Sequence, residues 1–177
     1  DLYFSSMVKS LGSLGGFICG PKAVIKYLRY NTRSQIFAKS MPLMVVEGML
    51  KRMDMIKTMP ELREKLWYNV NKLQTGLKER GFDIGGTNSP VTPIFMKGDV
   101  PEATQMVMDL RENYHIFCSI VVYPVIPKGD IIYRLIPTAA HSDADIDETL
   151  KAFEETKKKL DAGVYKAVDI PDMAEAN

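Results

Sequence analysis

Histidine and cysteine are scarce in this sequence, with two of each among 177 residues. His115 and His141 provide too few ligands for a zinc site, and no Ser-His-Asp arrangement can be assembled around them. Cys19 and Cys118 lie far apart in apolar, strand-like runs. We therefore expect two small buried residues in a reducing, cytoplasmic compartment, without a disulfide or a metal centre.

The sequence also lacks a large net charge, because its 23 Lys and Arg residues nearly balance its 22 Asp and Glu residues. This balance indicates neither a nucleic-acid-binding surface nor a basic membrane-binding patch. No apolar run approaches the roughly 18 residues of a membrane-spanning helix, and no signal peptide is visible. The sequence has no initiating methionine and opens in mid-pattern, so we expect it to be the C-terminal part of a longer protein.

The first twenty residues concentrate small and hydroxyl-bearing side chains around one lysine. Lys9 follows Ser5 and Ser6 and precedes a run rich in serine and glycine. A lysine amine in such a turn can form a Schiff base with a carbonyl cofactor, and hydroxyls and free backbone amides can donate to a phosphate. A surface loop has the same composition, so both interpretations stay open on composition alone.

Local patterns predict the elements of the first sixty residues. We expect a short buried strand over 15–20, a helix opened by Pro21 and an extended piece over 35–38. Ser40 is expected to cap the next helix. Apolar residues recur there close to every 3.6 positions, at Val45, Met49, Met53 and Ile56.

The remaining residues alternate between helical and strand patterns. The clearest helix carries one apolar stripe and ends at Gly81; the stripe is Leu62, Leu66, Val70, Leu73 and Leu77. Strands are expected over 91–96, 116–122 and 131–136, and helices are expected after Pro101 and after Ser142. The segment 164–177 has no clear period and is expected to be a tail. The order of elements predicts an α/β to α+β fold.

Arg134 is a second candidate functional residue, because it lies within the apolar strand predicted over 131–136. A buried guanidinium needs an anionic partner, since an unpaired buried charge is costly. The partner could be a carboxylate of the protein or a substrate carboxylate bound through two hydrogen bonds. His141, seven residues later, is expected to be a structural neighbour of a helix N-terminus.

Four segments together resemble one enzyme family. They are S-S-M-V-K-S-L-G-S-L-G-G-F-I-C-G at 5–20, R-S-Q-I-F-A-K-S-M-P at 33–42, Y-P-V-I-P-K-G at 123–129 and Y-R-L-I-P-T-A-A-H-S at 133–142. In identity and order they are similar to the α-oxoamine synthases, pyridoxal-phosphate enzymes of fold type I that are related to class I and II aminotransferases. The resemblance covers residues 1–161 and favours the interpretation of Lys9 as the cofactor lysine.

The resemblance implies an architecture and a reaction. Residues 1–59 would be the end of the large cofactor-binding domain with a linking helix, 60–163 the small C-terminal α+β domain, and 164–177 a tail. The implied cofactor is pyridoxal 5'-phosphate. The implied reaction condenses an amino acid with an acyl-CoA, with loss of carbon dioxide in most relatives, in a homodimer.

The resemblance also implies roles for individual residues. Lys9 matches the lysine that binds the cofactor covalently and later moves the proton at the substrate's α-carbon. Ser6 matches a hydroxyl that contacts the cofactor phosphate, and Ser40 one that approaches the phosphate bound by the partner subunit. Arg134 matches the arginine that holds the substrate carboxylate. His141 matches a position of the last motif, and we assign it no catalytic role.

Two departures from the family pattern concern the cofactor site. Met7-Val8 replaces a smaller pair before the lysine, and Ala38-Lys39 stands where small or hydroxyl residues are frequent. The family's ring-stacking histidine, its aspartate for the pyridine nitrogen and most of its phosphate-binding residues have no counterpart within this chain. We therefore expect the chain to be inactive by itself.

Three functions remain open. The S-L-G-S-L-G-G-F stretch is more similar to serine palmitoyltransferases, and the Y-P-V-I-P-K-G loop to glycine acetyltransferases, so the amino acid is of the glycine or serine class. An aminotransferase on the same scaffold is the second hypothesis. A non-catalytic fragment or subunit that serves dimerisation is the third.

Overall fold

The computed structural model describes residues 1–166, apart from the side chain of Lys97. It divides into two compact units, Asp1–Pro60 and Glu61–Asn177, which we call unit 1 and unit 2. The predicted mixture of helices and strands is confirmed. Within the described residues, no helix has both the length and the apolar character that crossing a membrane requires.

Unit 1 opens with a hairpin. Strand β1 (Tyr3–Ser6) pairs antiparallel with β2 (Gly16–Cys19), and Ser6 lies opposite Gly16. The predicted strand over 15–20 is thus confirmed as β2, but its predicted burial is wrong, because every residue of β2 is exposed, Cys19 included. A two-stranded sheet has too little area to cover its own faces, which explains the exposure. The sequence pattern did not reveal β1.

Three helices complete unit 1: α1 (Lys22–Asn31), α2 (Arg33–Phe37) and α3 (Leu43–Thr58). The extended piece predicted over 35–38 is wrong, because the backbone N–H groups of Gln35 and Ile36 donate to the Thr32 carbonyl and close a helical turn. Ser40 is not a helix cap. Pro42 occupies the N-cap of α3, and no side chain caps the helix there.

The described part of unit 2 contains three helices and a three-stranded sheet. Its elements are α4 (Pro60–Glu79), β3 (Thr92–Lys97), α5 (Val100–Asn113), β4 (Ser119–Val121), β5 (Asp130–Leu135) and α6 (Asp143–Asp161). The strand order is β3-β5-β4, and both pairings are antiparallel. The strand predicted over 116–122 is confirmed only over Ser119–Val121, the residues that pair with β5, and His115 upstream of it adopts φ 58°.

The core of unit 2 lies on one face of this sheet. Ile131, Tyr133 and Leu135 alternate along β5 and are buried, whereas Arg134 between them is exposed on the other face. The helices contribute buried residues to the core: Leu73 and Leu77 come from the predicted stripe of α4, and Ala103, Met106, Leu110, Ile146, Leu150 and Phe153 come from α5 and α6. Cys118 belongs to the same cluster, which confirms its predicted burial.

The predicted C-terminal signal of α4 and the predicted N-cap of α6 are both confirmed. Gly81 has φ 76°, its N–H donates to the Lys78 carbonyl, and the next N–H, of Phe82, donates to the Leu77 carbonyl. Ser142 caps α6: its hydroxyl accepts from the Asp145 N–H at 3.2 Å, and the Asp145 carboxylate accepts from the Ser142 N–H at 2.7 Å.

The predicted tail over 164–177 is wrong at its start. Tyr165 is buried against the core, and its hydroxyl donates to the Asp109 carboxylate at 2.5 Å. Burial raises the pKa of the Tyr165 hydroxyl, and the bond to Asp109 raises it further. Residues 167–177 lie outside the described part of the chain.

Candidate active site

Lys9 lies in the loop that joins β1 to β2. The loop is closed by two hydrogen bonds of 3.0 Å, from the Met7 N–H to the Gly15 carbonyl and from the Ser13 N–H to the Met7 carbonyl. The Lys9 carbonyl accepts from the Gly12 N–H at 2.9 Å. Gly12 and Gly15 have φ of 52° and 90°, a backbone conformation that side-chain-bearing residues rarely adopt.

The Lys9 amine projects from this fixed loop without a carboxylate partner. Its side chain is exposed, and no ion pair to it occurs within residues 1–166. A backbone held by hydrogen bonds on both sides of the loop confines the position of Cα and leaves the amine free to move. This arrangement suits an amine that must react with a carbonyl group.

Ser6 is the nearest candidate hydroxyl in sequence and ends β1. Its half-buried Oγ accepts a hydrogen bond from the Val8 N–H at 3.4 Å, so its O–H remains available as a donor. Opposite it, a Cβ on Gly16 would lie 2.9 Å from the Ser5 carbonyl oxygen, so this position accepts only glycine without a shift of the backbone. The close pairing fixes where Ser6 stands relative to the loop.

The segment that carries Ser40 approaches the same loop. A Cβ on Gly15 would lie 3.1 Å from Cε of Met41, the residue after Ser40. Ser40 itself is exposed, and Lys39 before it has φ 65°, which is unusual for a residue other than glycine. Unit 1 therefore contains Lys9, Ser6 and Ser40, and its structure brings the segment of Ser40 to the lysine loop.

Arg134 lies in unit 2, at the centre of the open face of the sheet. Its expected burial is wrong, because the alternation along β5 directs it away from the core. No carboxylate within the described residues forms an ion pair with it. Its Nε donates instead to the hydroxyl of Ser119 at 3.0 Å, and Ser119 stands directly opposite Arg134 on β4.

Ser119 is a residue that sequence reasoning missed. A serine within a strongly β-forming run carries no signal of its own. Only the register of β4 against β5, with Ser119 opposite Arg134, places its hydroxyl beside the guanidinium. Registers between strands separated by a long loop are set by tertiary packing, so no local pattern could have identified the pair.

His141 has a structural role, as expected. Its Nδ1 accepts a hydrogen bond from the Thr138 N–H at 3.0 Å, and its carbonyl accepts from Nδ2 of Asn69 at 2.9 Å. Nδ2 of Asn69 also donates to the Thr138 carbonyl at 2.9 Å. These bonds hold the turn between β5 and α6, one residue before the cap of α6.

The two cysteines differ in exposure, because Cys19 is exposed and Cys118 is buried. Both are free thiols, and burial raises the pKa of the Cys118 thiol to about 11, which disfavours the nucleophilic thiolate. No cluster of histidine, cysteine and carboxylate side chains within residues 1–166 is arranged to hold a metal ion.

An open cleft lies among the described residues of each unit. The cleft of unit 1 has a volume of about 750 Å³ and includes Gly15 and Gly16 but not Lys9, Ser6 or Ser40. The cleft of unit 2 has a volume of about 460 Å³ and includes both histidines but not Arg134. The candidate residues thus lie outside both clefts.

The donor set of unit 1 fits one part of a pyridoxal phosphate site. A free amine is the group that reacts with the cofactor aldehyde, and a serine O–H is a suitable donor to its phosphate. The exposed amine of Lys9 and the available O–H of Ser6 supply these two groups. The candidate residues of unit 1, Lys9, Ser6 and Ser40, include no carboxylate that could pair with the pyridine nitrogen of the cofactor.

Comparison with protein families gives one match that covers most of the chain. The family model described as aminotransferase class I and II matches residues 1–153. This match indicates pyridoxal phosphate as the cofactor.

Two curated relatives are similar along nearly the whole chain. A cysteate-C-fatty acyltransferase of Capnocytophaga ochracea is 60% identical over 96% of this chain, which covers 40% of that protein. A serine palmitoyltransferase of Sphingobacterium spiritivorum is 38% identical over 85% of the chain, which covers 37% of that protein. The chain therefore spans about 40% of the length of the curated relatives that it matches.

Solved structures of similar proteins have the same fold. A structure of SPT with a PLP internal aldimine has a TM-score of 0.82 and 27% identity, and the match covers 91% of this chain and 40% of that chain. The serine palmitoyltransferase of Sphingomonas wittichii has a TM-score of 0.81 and 26% identity, with 93% of this chain and 41% of that chain covered. These neighbours are fold type I enzymes, as the sequence predicted.

Proposed function

We propose that this chain, which belongs to the aminotransferase class I and II family and within it to the α-oxoamine synthases, is part of a pyridoxal-phosphate-dependent acyltransferase. The observation that carries the proposal is the exposed amine of Lys9, held in a hydrogen-bonded loop beside the Ser6 hydroxyl. Unit 1 is then the end of the cofactor-binding domain, and unit 2 is the small C-terminal domain.

The proposed reaction joins an amino acid to an acyl group. The α-carbon of the amino acid forms a bond to the acyl carbon, the carbon–sulfur bond to coenzyme A breaks, and the α-carboxylate leaves as carbon dioxide. Pyridoxal phosphate, when bound, supplies the electron sink that makes the α-carbon nucleophilic.

The residues of this chain bind, orient and move protons. The Lys9 amine holds the cofactor and then carries protons to and from the α-carbon of the substrate. The Ser6 O–H donates to the cofactor phosphate, and Ser40 serves the phosphate bound by the partner subunit of a homodimer. The Arg134 guanidinium binds the substrate carboxylate through two hydrogen bonds.

The relatives suggest which amino acid to test first. The 60% identical relative is named for cysteate and a fatty acyl group, and the 38% identical relative is named for serine. Cysteate is an alanine that carries a sulfonate where serine carries a hydroxyl. We propose cysteate as the substrate of the whole protein, in place of the glycine or serine class that the sequence alone suggested, with a fatty acyl-CoA as the donor.

The test uses a protein of the relatives' full length that contains this chain. We expect release of coenzyme A only when an amino acid and a fatty acyl-CoA are both present, and faster with cysteate than with serine. The Lys9→Ala variant should lose activity by about 10²–10⁴-fold or more, because a positioned proton-transfer group contributes that much. Lys26→Ala, which removes an exposed lysine of α1, is the matched control.

Three outcomes would contradict the proposal in different ways. Full activity of Lys9→Ala would exclude the catalytic role of this lysine. Conversion of the amino acid to a keto acid without any dependence on acyl-CoA would support the aminotransferase hypothesis. Absence of both reactions in a folded full-length protein that contains bound cofactor would support the non-catalytic hypothesis.

A further inference from the structure

We infer that Ser119 is a positioning residue that aims Arg134 at the substrate carboxylate, an inference that rests on the proposed function of Arg134. The hydroxyl of Ser119 accepts a hydrogen bond from Arg134 Nε at 3.0 Å across the β4–β5 pair. Ser119 is half-buried, whereas Arg134 is exposed. The less mobile side chain thus constrains the more mobile one.

The hydrogen bond occupies one side of the guanidinium and leaves the other free. A guanidinium has five N–H donors, of which one belongs to Nε and four to the terminal nitrogens. The hydrogen bond from Nε to Ser119 restrains the rotation of the planar group. The terminal nitrogens have no acceptor within the described residues, so they are available to a carboxylate.

The other strand beside Arg134 cannot provide the same restraint. Its cross-strand neighbour on β3 is Pro93, which carries neither a side-chain acceptor nor an N–H. The two flanking positions of the central strand therefore differ in chemistry, and the polar one is Ser119. An arginine side chain has several rotatable bonds, and ordering them before the substrate arrives lowers the entropic cost of binding.

The inference predicts a selective kinetic effect in the full-length protein. Ser119→Ala should raise the KM for the amino acid by about 3- to 10-fold, the value of one modest hydrogen bond. The KM for the acyl-CoA should not change, because Arg134 is assigned to the amino-acid carboxylate alone. Ser119→Thr keeps the hydroxyl and should restore the amino-acid KM to within about 2-fold of the wild type.

A double-mutant cycle with Arg134→Lys separates positioning from general structural damage. Lysine keeps the cation but has no Nε–H, so Ser119→Ala should have no further effect on the amino-acid KM in that background. Thr104→Ala, which removes a hydroxyl bonded within α5, is the matched control and should leave the amino-acid KM unchanged.

The outcomes distinguish this inference from the proposed function. If Arg134→Ala and Arg134→Lys both leave the amino-acid KM unchanged, Arg134 does not bind the carboxylate and the proposed role of that residue is overturned. If both arginine variants raise this KM but Ser119→Ala does not, only the positioning role of Ser119 is overturned. An equal rise of both substrates' KM values in Ser119→Ala would also reject positioning in favour of structural damage.

Discussion

Unit 1 and unit 2 differ in how many of their apolar side chains are buried. Unit 2 buries its apolar stripes in one continuous cluster around the open three-stranded sheet. In the described part of unit 1, Met49 is the one apolar side chain classed as buried, whereas Phe4, Phe37 and Met44 are 70%, 71% and 81% exposed. The unit with the candidate cofactor lysine is therefore the one with little core of its own.

The two units therefore differ in which contacts hold their structures together. Unit 2 has a closed core and side-chain caps at the N-termini of α5 and α6, so its own residues account for much of its fold. Unit 1 has a hairpin whose faces are open and helices that bury few side chains. The loop of Lys9 is nevertheless ordered, because its backbone bonds are local to the hairpin.

The largest expected contrast between the units concerns a phenylalanine in each. Phe153 is fully buried and packs edge-on against Phe82 and Tyr133, with ring centroids 5.9 and 6.5 Å away. Phe153→Ala should lower the free energy of unfolding by about 3–5 kcal/mol. Urea unfolding of the chain, followed by fluorescence of Trp67 in α4, measures this change.

Phe37→Ala in unit 1 is the matched control for that prediction. Its side chain is exposed, so the change should stay within about 0.5 kcal/mol. Equal effects of the two substitutions would remove the contrast between a unit with a core and a unit without one.

A smaller contrast concerns two asparagines. Asn69 in unit 2 is buried and donates to two carbonyls of the turn that precedes α6. Asn69→Ala leaves both carbonyls without this donor and should cost about 1–3 kcal/mol in the same urea experiment. Asn31→Ala in unit 1, which removes an exposed amide at the end of α1, should cost less than Asn69→Ala. A reversed order would show that the turn after β5 does not depend on Asn69.

The smallest contrast concerns the response to acid. Burial acts to raise the pKa of the Asp109 carboxyl, but hydrogen bonds from Lys159, Tyr165 and Asn113 outweigh it and hold that pKa below its ordinary value of 3.8. The stabilisation from Asp109 is therefore complete above pH 3.8 and is lost as the pH falls through the lower pKa of the folded state. Its size should be about 1 kcal/mol or less, since the Lys159 partner is partly exposed.

Comparison of Asp109→Asn with the wild type between pH 7 and pH 2 measures this contribution. The difference in unfolding free energy should be largest at neutral pH and should shrink in acid. Asp54→Asn in unit 1, which removes the exposed ion pair with Lys51, should show no comparable acid dependence. A difference between Asp109→Asn and the wild type that does not change with pH would contradict the role of the Asp109 charge.

The same contrast explains which elements could be predicted from the sequence. The glycine after α4, the serine cap of α6 and the buried members of the α4 stripe, Val70, Leu73 and Leu77, depend on neighbours within a few residues and were predicted correctly. The first member of the stripe, Leu62, is 46% exposed, so the prediction was wrong there. The exposure of β2, the helical turn of α2 and the position of Ser40 depend on packing that local patterns do not contain. Tyr165 was missed because its partner, Asp109, is 56 residues away.

The candidate site follows the same rule. The lysine loop and the strand of Arg134 were recognised from motifs, and the roles of Lys9, Ser6, Ser40 and Arg134 stay predictions. The prediction that Arg134 is buried was wrong. An apolar strand pattern does not show on which face of a sheet a charged residue lies when one face of that sheet is open. The Ser119 contact depends on strand register and lay beyond any local pattern.

The strand order β3-β5-β4 has a consequence for how a growing chain acquires its shape. Within the described residues, β5 is the strand with which both outer strands pair, apart from a bridge between Phe95 of β3 and Asp83, and β5 is the last of the three strands to be synthesised. On a translating ribosome, the ladders that β3 and β4 form with β5 must wait for residues 130–135. Arg134, the proposed carboxylate-binding residue, lies on that same strand, so the nascent polypeptide gains it together with the residues that complete the sheet.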